Sequence, residues 1–96
     1  MAAYWIAHVR VINEEGYGEY GKQAGPAVKK YGGRFLALPG RYVSLEGEDF
    51  PQNVIVEFES VEAAQACYDS PEYQEALVHF KGNAERMLTI VEGGSP

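Results

Sequence analysis

The chain of 96 residues is 46% hydrophobic and 23% charged, the balance of one ordinary folded domain spanning residues 1–96 and too hydrophobic for intrinsic disorder. Fourteen acidic against eight basic residues leave a net charge of -6, which repels a phosphate backbone and argues against nucleic acid as a partner. The single cysteine rules out an internal disulfide framework, and no apolar run approaches the roughly 18 residues that span a bilayer, so no membrane association is expected.

The opening Met-Ala-Ala-Tyr-Trp-Ile lacks a basic n-region and passes at once into alternation, so a cytoplasmic location is expected. From Ala3 to Ile12, Trp5, Ala7, Val9 and Val11 alternate with Tyr4, Ile6, His8 and Arg10, the period of a strand. Asn13 can then cap a helix whose first turn carries Glu14 and Glu15 at the positive end of its dipole. Tyr17, Tyr20, Ala24, Val28 and Tyr31 recur at helical spacing up to a stop at Gly32-Gly33. This helix is weakly encoded. Gly16, Gly18, Gly21 and Gly25 each cost about 1 kcal/mol relative to alanine, and Pro26 lacks a donor, so a kink near Gly25-Pro26 and early local opening are expected.

Arg34 to Leu38 and Arg41 to Glu46, extended runs around Pro39-Gly40, read as one bent second strand. After an acidic loop, Asn53 to Glu59 alternates as a third strand, antiparallel to the second. Ser60 and Ser70, each followed by an acid in the first turn, start two successive helical pieces. Gly82-Asn83 ends the helical region, Met87 to Val91 forms a fourth strand, and the Gly-Gly-Ser-Pro tail should be loose. The order β-α-β-β-α-β predicts a ferredoxin-like α+β sandwich on a four-stranded antiparallel sheet.

With both helices on one face, Trp5, Ala7, Val9, Val54, Val56 and Phe58 form the covered core. Parity places Ile6, Leu36, Leu38, Ile55, Leu88 and Ile90 on the other face, among His8, Arg10, Arg34 and Glu57. Exposing six aliphatic side chains at about 1.5 to 3 kcal/mol each is costly. A homodimer that packs face to face removes that cost, so a two-fold dimer is expected.

Five segments in order carry a resemblance: Tyr4-Trp5-Ile6-Ala7, Lys30-Tyr31-Gly32-Gly33-Arg34-Phe35-Leu36, Leu45-Glu46-Gly47, Val56-Glu57-Phe58 and Tyr68-Asp69-Ser70-Pro71-Glu72-Tyr73. Together, over nearly the whole chain, they resemble the domain of unknown function 1330 family. The resemblance implies the dimeric α+β barrel superfamily, in which two ferredoxin-like subunits close sheet against sheet. That superfamily holds cofactor-free monooxygenases, small isomerases, haem proteins and members with no known reaction, so the fold alone assigns no function. Two departures stand out: Gly16, Gly18 and Gly21 replace better helix formers, and Gln52-Asn53 stands where the family often has a basic residue.

Charged residues within apolar strands need partners or a purpose. Arg34 and Arg41 are candidate anchors for an anionic ligand, and His8 or Glu57 a candidate acid-base group, with Tyr20 and Tyr68 lining the cleft. Against this stand an Arg-Glu pair that merely closes the dimer seam, a structural strand histidine, and tyrosines that are simply core. Cys67, on an apolar face without a basic neighbour, reads as an inert buried thiol. No phosphate-binding glycine loop, metal-ligand cluster or serine nucleophile motif occurs, and no cofactor or metal is expected. Two functions follow: binding or transforming a small anionic or aromatic metabolite between sheet and helices without a cofactor, or a structural or regulatory homodimerisation module without turnover.

Overall fold

The alternating run near the N-terminus forms strand β1 (Ala3–Val11), whose odd residues Ala3, Trp5, Ala7 and Val9 are buried while the even ones are half-exposed. The structure, a computed structural model, describes residues 1–94. Ser95 and Pro96, the end of the tail expected to be loose, lie outside the described residues.

Asn13 has extended backbone, and its Oδ1 accepts from the N–H groups of Glu15 and Gly16 at 3.1 and 3.3 Å, which starts α1 (Glu14–Lys30). The helix continues through Pro26, which lies on its exposed side where water can satisfy the freed carbonyl. Gly16 has a packing reason: a Cβ there would sit 2.3 Å from the Asn83 side chain. Gly32, at φ 85°, takes the left-handed conformation that ends α1, and the Gly33 N–H returns to the Val28 carbonyl at 2.8 Å.

Strand β2 (Arg34–Ala37) follows, then a long irregular segment, then β3 (Gln52–Phe58). Ser60 accepts from the Ala63 N–H to cap α2 (Val61–Asp69), and the buried Ser70 accepts from the Tyr73 N–H to cap α3 (Pro71–Leu77). The expected two-piece helical region is therefore present. Strand β4 (Ala84–Glu92) completes the sheet in the order β2-β3-β1-β4, every neighbouring pair antiparallel. This is the ferredoxin-like α+β architecture.

Three expectations are corrected. Arg41 to Glu46 is irregular, because Pro39-Gly40 carries the chain off the sheet and leaves the run no strand to pair with. Leu88 and Ile90 face the helices: they stand opposite Ala7 and Trp5 in the β1–β4 ladder, and residues directly opposite share a face. Leu38 also swings to the helix side, because a bulge between Phe35 and Ala37 shifts the alternation by one. The open face instead carries Ile6, Ile55, Met87 and Val91 with Leu36 at its edge.

Candidate functional site

Helix α1 packs mainly on α3 and stands off the sheet, with few close backbone approaches to any strand. Two turns of its sheet-facing side carry only Gly21, Ala24 and Gly25, so side chains do not fill the gap. A cavity of about 210 Å³ results. It runs across all four strands, bordered by Phe35 of β2, Val54 of β3, Ala7 of β1 and Leu88 of β4. Its walls are mostly apolar; Arg86, Tyr20 and Tyr73 meet at one end, and Tyr17 and Gln52 add further polar groups to the lining.

Arg86 reaches that end because it stands opposite Val9, on the helix side of edge strand β4. Its Nη1 donates to the Tyr20 hydroxyl at 2.9 Å and its Nη2 to the Tyr73 hydroxyl at 3.0 Å. The two hydroxyls lie 2.5 Å apart, and the guanidinium stacks 4.3 Å from the Phe80 ring centre. Arg86 makes no ion pair among the described residues. Burial alone would lower its pKa, but the tyrosine oxygens outweigh that and the group stays charged. Burial pushes the Tyr73 hydroxyl well above its ordinary value, against the opposing pull of Arg86, so it remains a neutral phenol.

Counting protons shows what this end offers. Arg86 can only donate, and two of its N–H groups are engaged. The rest, Nε–H included, find no protein acceptor, yet no fully buried side-chain nitrogen or oxygen lacks a partner among the described residues, so Nε is open to solvent. Of the two tyrosine protons, one bridges the hydroxyls and the other is spare. The site presents donors and positive charge without a matching acid, and suits an oxygen anion.

A second, more open groove of about 550 Å³ lies on the other side of Arg86, bordered by Trp5, Gln65, Tyr68 and Ile90. Tyr20 and Tyr68 are thus on different cavities with Arg86 between them.

The other sequence candidates lie elsewhere. Arg34 Nη2 donates to Glu57 Oε1 at 2.8 Å on the open face, an Arg-Glu pair outside the cleft beneath α1. Arg41 is exposed in the irregular segment. His8 is on the open face, where its Nδ1 lies 2.6 Å from Asn53 Oδ1; Asn53 Nδ2 donates to the Phe50 carbonyl, so the amide oxygen faces His8 and Nδ1–H is the donor. Arg10 pairs with Glu48, bonds the Asp49 carbonyl and stacks on Phe50, pinning the end of the irregular segment across this face. Cys67 is fully buried, and its thiol is pushed up to about 11 by burial and then by Glu72. Among the described residues no three His, Cys, Asp or Glu side chains gather as metal ligands would, and no helix is long and apolar enough to cross a membrane.

Sequence reading missed Arg86 and Tyr73 as a site. The signal was available: Ala84, Arg86, Leu88 and Ile90 alternate in phase, but starting the fourth strand at Met87 left the arginine outside it.

Among curated proteins the chain has no match. Among solved structures, a protein of unknown function from Rhodopseudomonas palustris is similar with a TM-score of 0.79 at 23% identity, over 99% of this chain and 84% of that one. A dimeric ferredoxin-like protein of unknown function from a Jannaschia species aligns with a TM-score of 0.69 at 14% identity, over 97% of this chain and 100% of its own. SnoaB, a cofactor-independent oxygenase from Streptomyces nogalater, aligns with a TM-score of 0.67 at 7% identity, over 99% and 95% of the two chains. At these identities the likeness is one of fold. Residues 2–94 match the profile described as domain of unknown function (DUF1330), and the chain belongs to that family.

Proposed function

We propose that this protein binds a small, mostly apolar anion in the cavity between the sheet and α1, without a cofactor, and does so as a homodimer. The observation that carries the reading is Arg86: a half-buried cation without an acid partner among the described residues, braced by Tyr20 and Tyr73 and facing a mostly apolar cavity. A cation held partly out of water without a counter-ion favours a ligand that supplies negative charge. Binding is what this geometry supports; no arrangement of groups here defines a reaction. A cavity of about 210 Å³ is below the size that holds drug-sized ligands, so the molecule is a small metabolite.

The dimer rests on the other face of the sheet. Leu36, Met87 and Val91 are exposed there, and Tyr42, Val43 and Leu45 of the irregular segment border the same side beside His8. One neighbour of the same fold is described as dimeric. In a face-to-face dimer His8, Arg34 and Glu57 would line the seam, as structural pairs or as a second site.

A thermal-shift screen of small carboxylates and phenols tests the reading. A ligand at 100 times its Kd adds about 2.7 kcal/mol, or several degrees, and Arg86→Met should abolish the shift. A shift that survives in Arg86→Met would refute the anchor. A screen without any stabiliser would favour the structural or regulatory dimerisation module instead.

A further inference from the structure

The cavity has a direction. Its cationic end is on edge strand β4 and its far end, at Phe35, Leu38 and Pro39, is beside the opposite edge strand β2. Three strand spacings of ~4.8 Å separate the two edges, so it is roughly 14 Å long. Between the ends the lining is mostly apolar, with Ala7, Val54, Val56 and Leu88, and Gln52 adds one neutral polar side chain. One charge at one end of a long apolar channel describes a ligand shape.

Helix α1 forms the wall along that channel. Gly21 and Gly25, one turn apart, border it, and a Cβ added at either meets no atom within 4 Å. Neither has the positive φ that would require glycine. The backbone therefore does not explain these two residues, whereas Gly32 ends a helix and Gly16 makes room for Asn83. Alanine at both positions would favour the helix and narrow the channel.

We infer that the ligand class is an elongated monoanion, its oxyanion on Arg86 and its slender apolar body along the Gly21–Gly25 side of α1, and that these glycines set the length of body admitted. This rests on the binding reading above. The walls along the body are mostly apolar, with Gln52 a neutral polar side chain two strands from Arg86, so affinity depends chiefly on length and thickness. Each added methylene contributes about fourfold in affinity until the body reaches the β2 edge.

The test uses straight-chain carboxylates from butanoate to decanoate, read by fluorescence of Trp5, the only tryptophan and itself a cavity wall, and by melting temperature. Octan-1-ol serves as the body without the anion. Wild-type affinity should climb with chain length and then level, and octan-1-ol should bind at least tenfold more weakly than octanoate. Gly21→Ala and Gly25→Ala should raise the ligand-free melting temperature by about 4 °C each and move the levelling point to shorter acids. Gly25→Leu should exclude the longer acids while still binding butanoate. If acids bind but every glycine variant keeps the wild-type length profile, the inference is overturned and the binding reading survives. Equal binding of octan-1-ol and octanoate overturns the monoanion class. If no acid binds the wild type, both fall.

Discussion

Arg86 Nη2 donates to the Tyr73 hydroxyl at 3.0 Å, tying edge strand β4 to α3 through a group that sequence order separates from both α1 and the loop arginines. Ser70 caps α3 and sets the turn from which Tyr73 projects, and β1 sets the face from which Arg86 projects. The contact therefore depends on two independent registers, and among the described residues it holds the only cation bordering the cavity beneath α1.

Tyr73→Phe removes the hydroxyl that accepts from Arg86 and pairs with Tyr20. Tyr73 is 1% and Tyr20 7% exposed, so little water can reach the Tyr20 hydroxyl to replace the lost bond. The expected cost is about 1–3 kcal/mol. Urea unfolding should show a lower midpoint with an unchanged slope; a wild-type midpoint would mean that the hydroxyl triad is not stabilising.

Arg34→Ala should change stability by less than about 1 kcal/mol, because the Arg34 side chain is 73% exposed and water screens its pair with Glu57. Carboxylate binding should be unaffected, since Arg34 lies on the opposite face of the sheet from Arg86. Loss of binding in this variant would move the anion site to the open face and vindicate Arg34 as the anchor.

Met87→Asp places a charge at an exposed position on the open face, opposite His8. In a face-to-face dimer that carboxylate and its symmetry mate would both be taken out of water in an apolar seam, so the variant should sediment as a monomer at micromolar concentration while the wild type sediments as a dimer. A wild-type chain that is monomeric, or a variant that stays dimeric, contradicts this interface.

Glu72 reports on the junction of α1 and α3. A hydrogen bond from Lys30, helped by the backbone of α3 and by the Tyr31 hydroxyl, lowers its carboxyl from the ordinary 4.5 to about 2. Because the folded pKa is the lower one, the contribution is fully present above about 4.5 and is lost as pH falls through about 2. Lys30→Met should flatten the fall in melting temperature between pH 4.5 and 2 relative to wild type. Identical acid profiles would show that the pair does not persist in solution.

How much could be read in advance differs between elements and site. Alternation at Trp5, Ala7 and Val9, the Asn13, Ser60 and Ser70 caps and the stop at Gly32 are local signals, and each one marks an element close to where it forms. The five matching segments are likewise properties of the string. Their physical basis is short in range: a strand's period, a cap's hydrogen bond and a glycine's φ need only neighbouring residues.

Pairing decided the rest. Whether Leu88 and Ile90 face helices or solvent depends on which β1 residue each one meets, and a slip of one residue reverses every assignment. Arg41 to Glu46 alternates like a strand and is not one, because a strand needs a partner edge that the chain has already left at Pro39. The site follows the same rule. Tyr20, Tyr73 and Arg86 belong to three elements, and their meeting point is fixed only when α3 docks on α1 and β4 takes its register on β1. The sequence by itself determined the family and the order of the main helices and strands; the tertiary structure alone decided which face Leu88 and Ile90 take and that the charge facing the cavity is Arg86, because long-range docking and register, and no local preference, bring those side chains together.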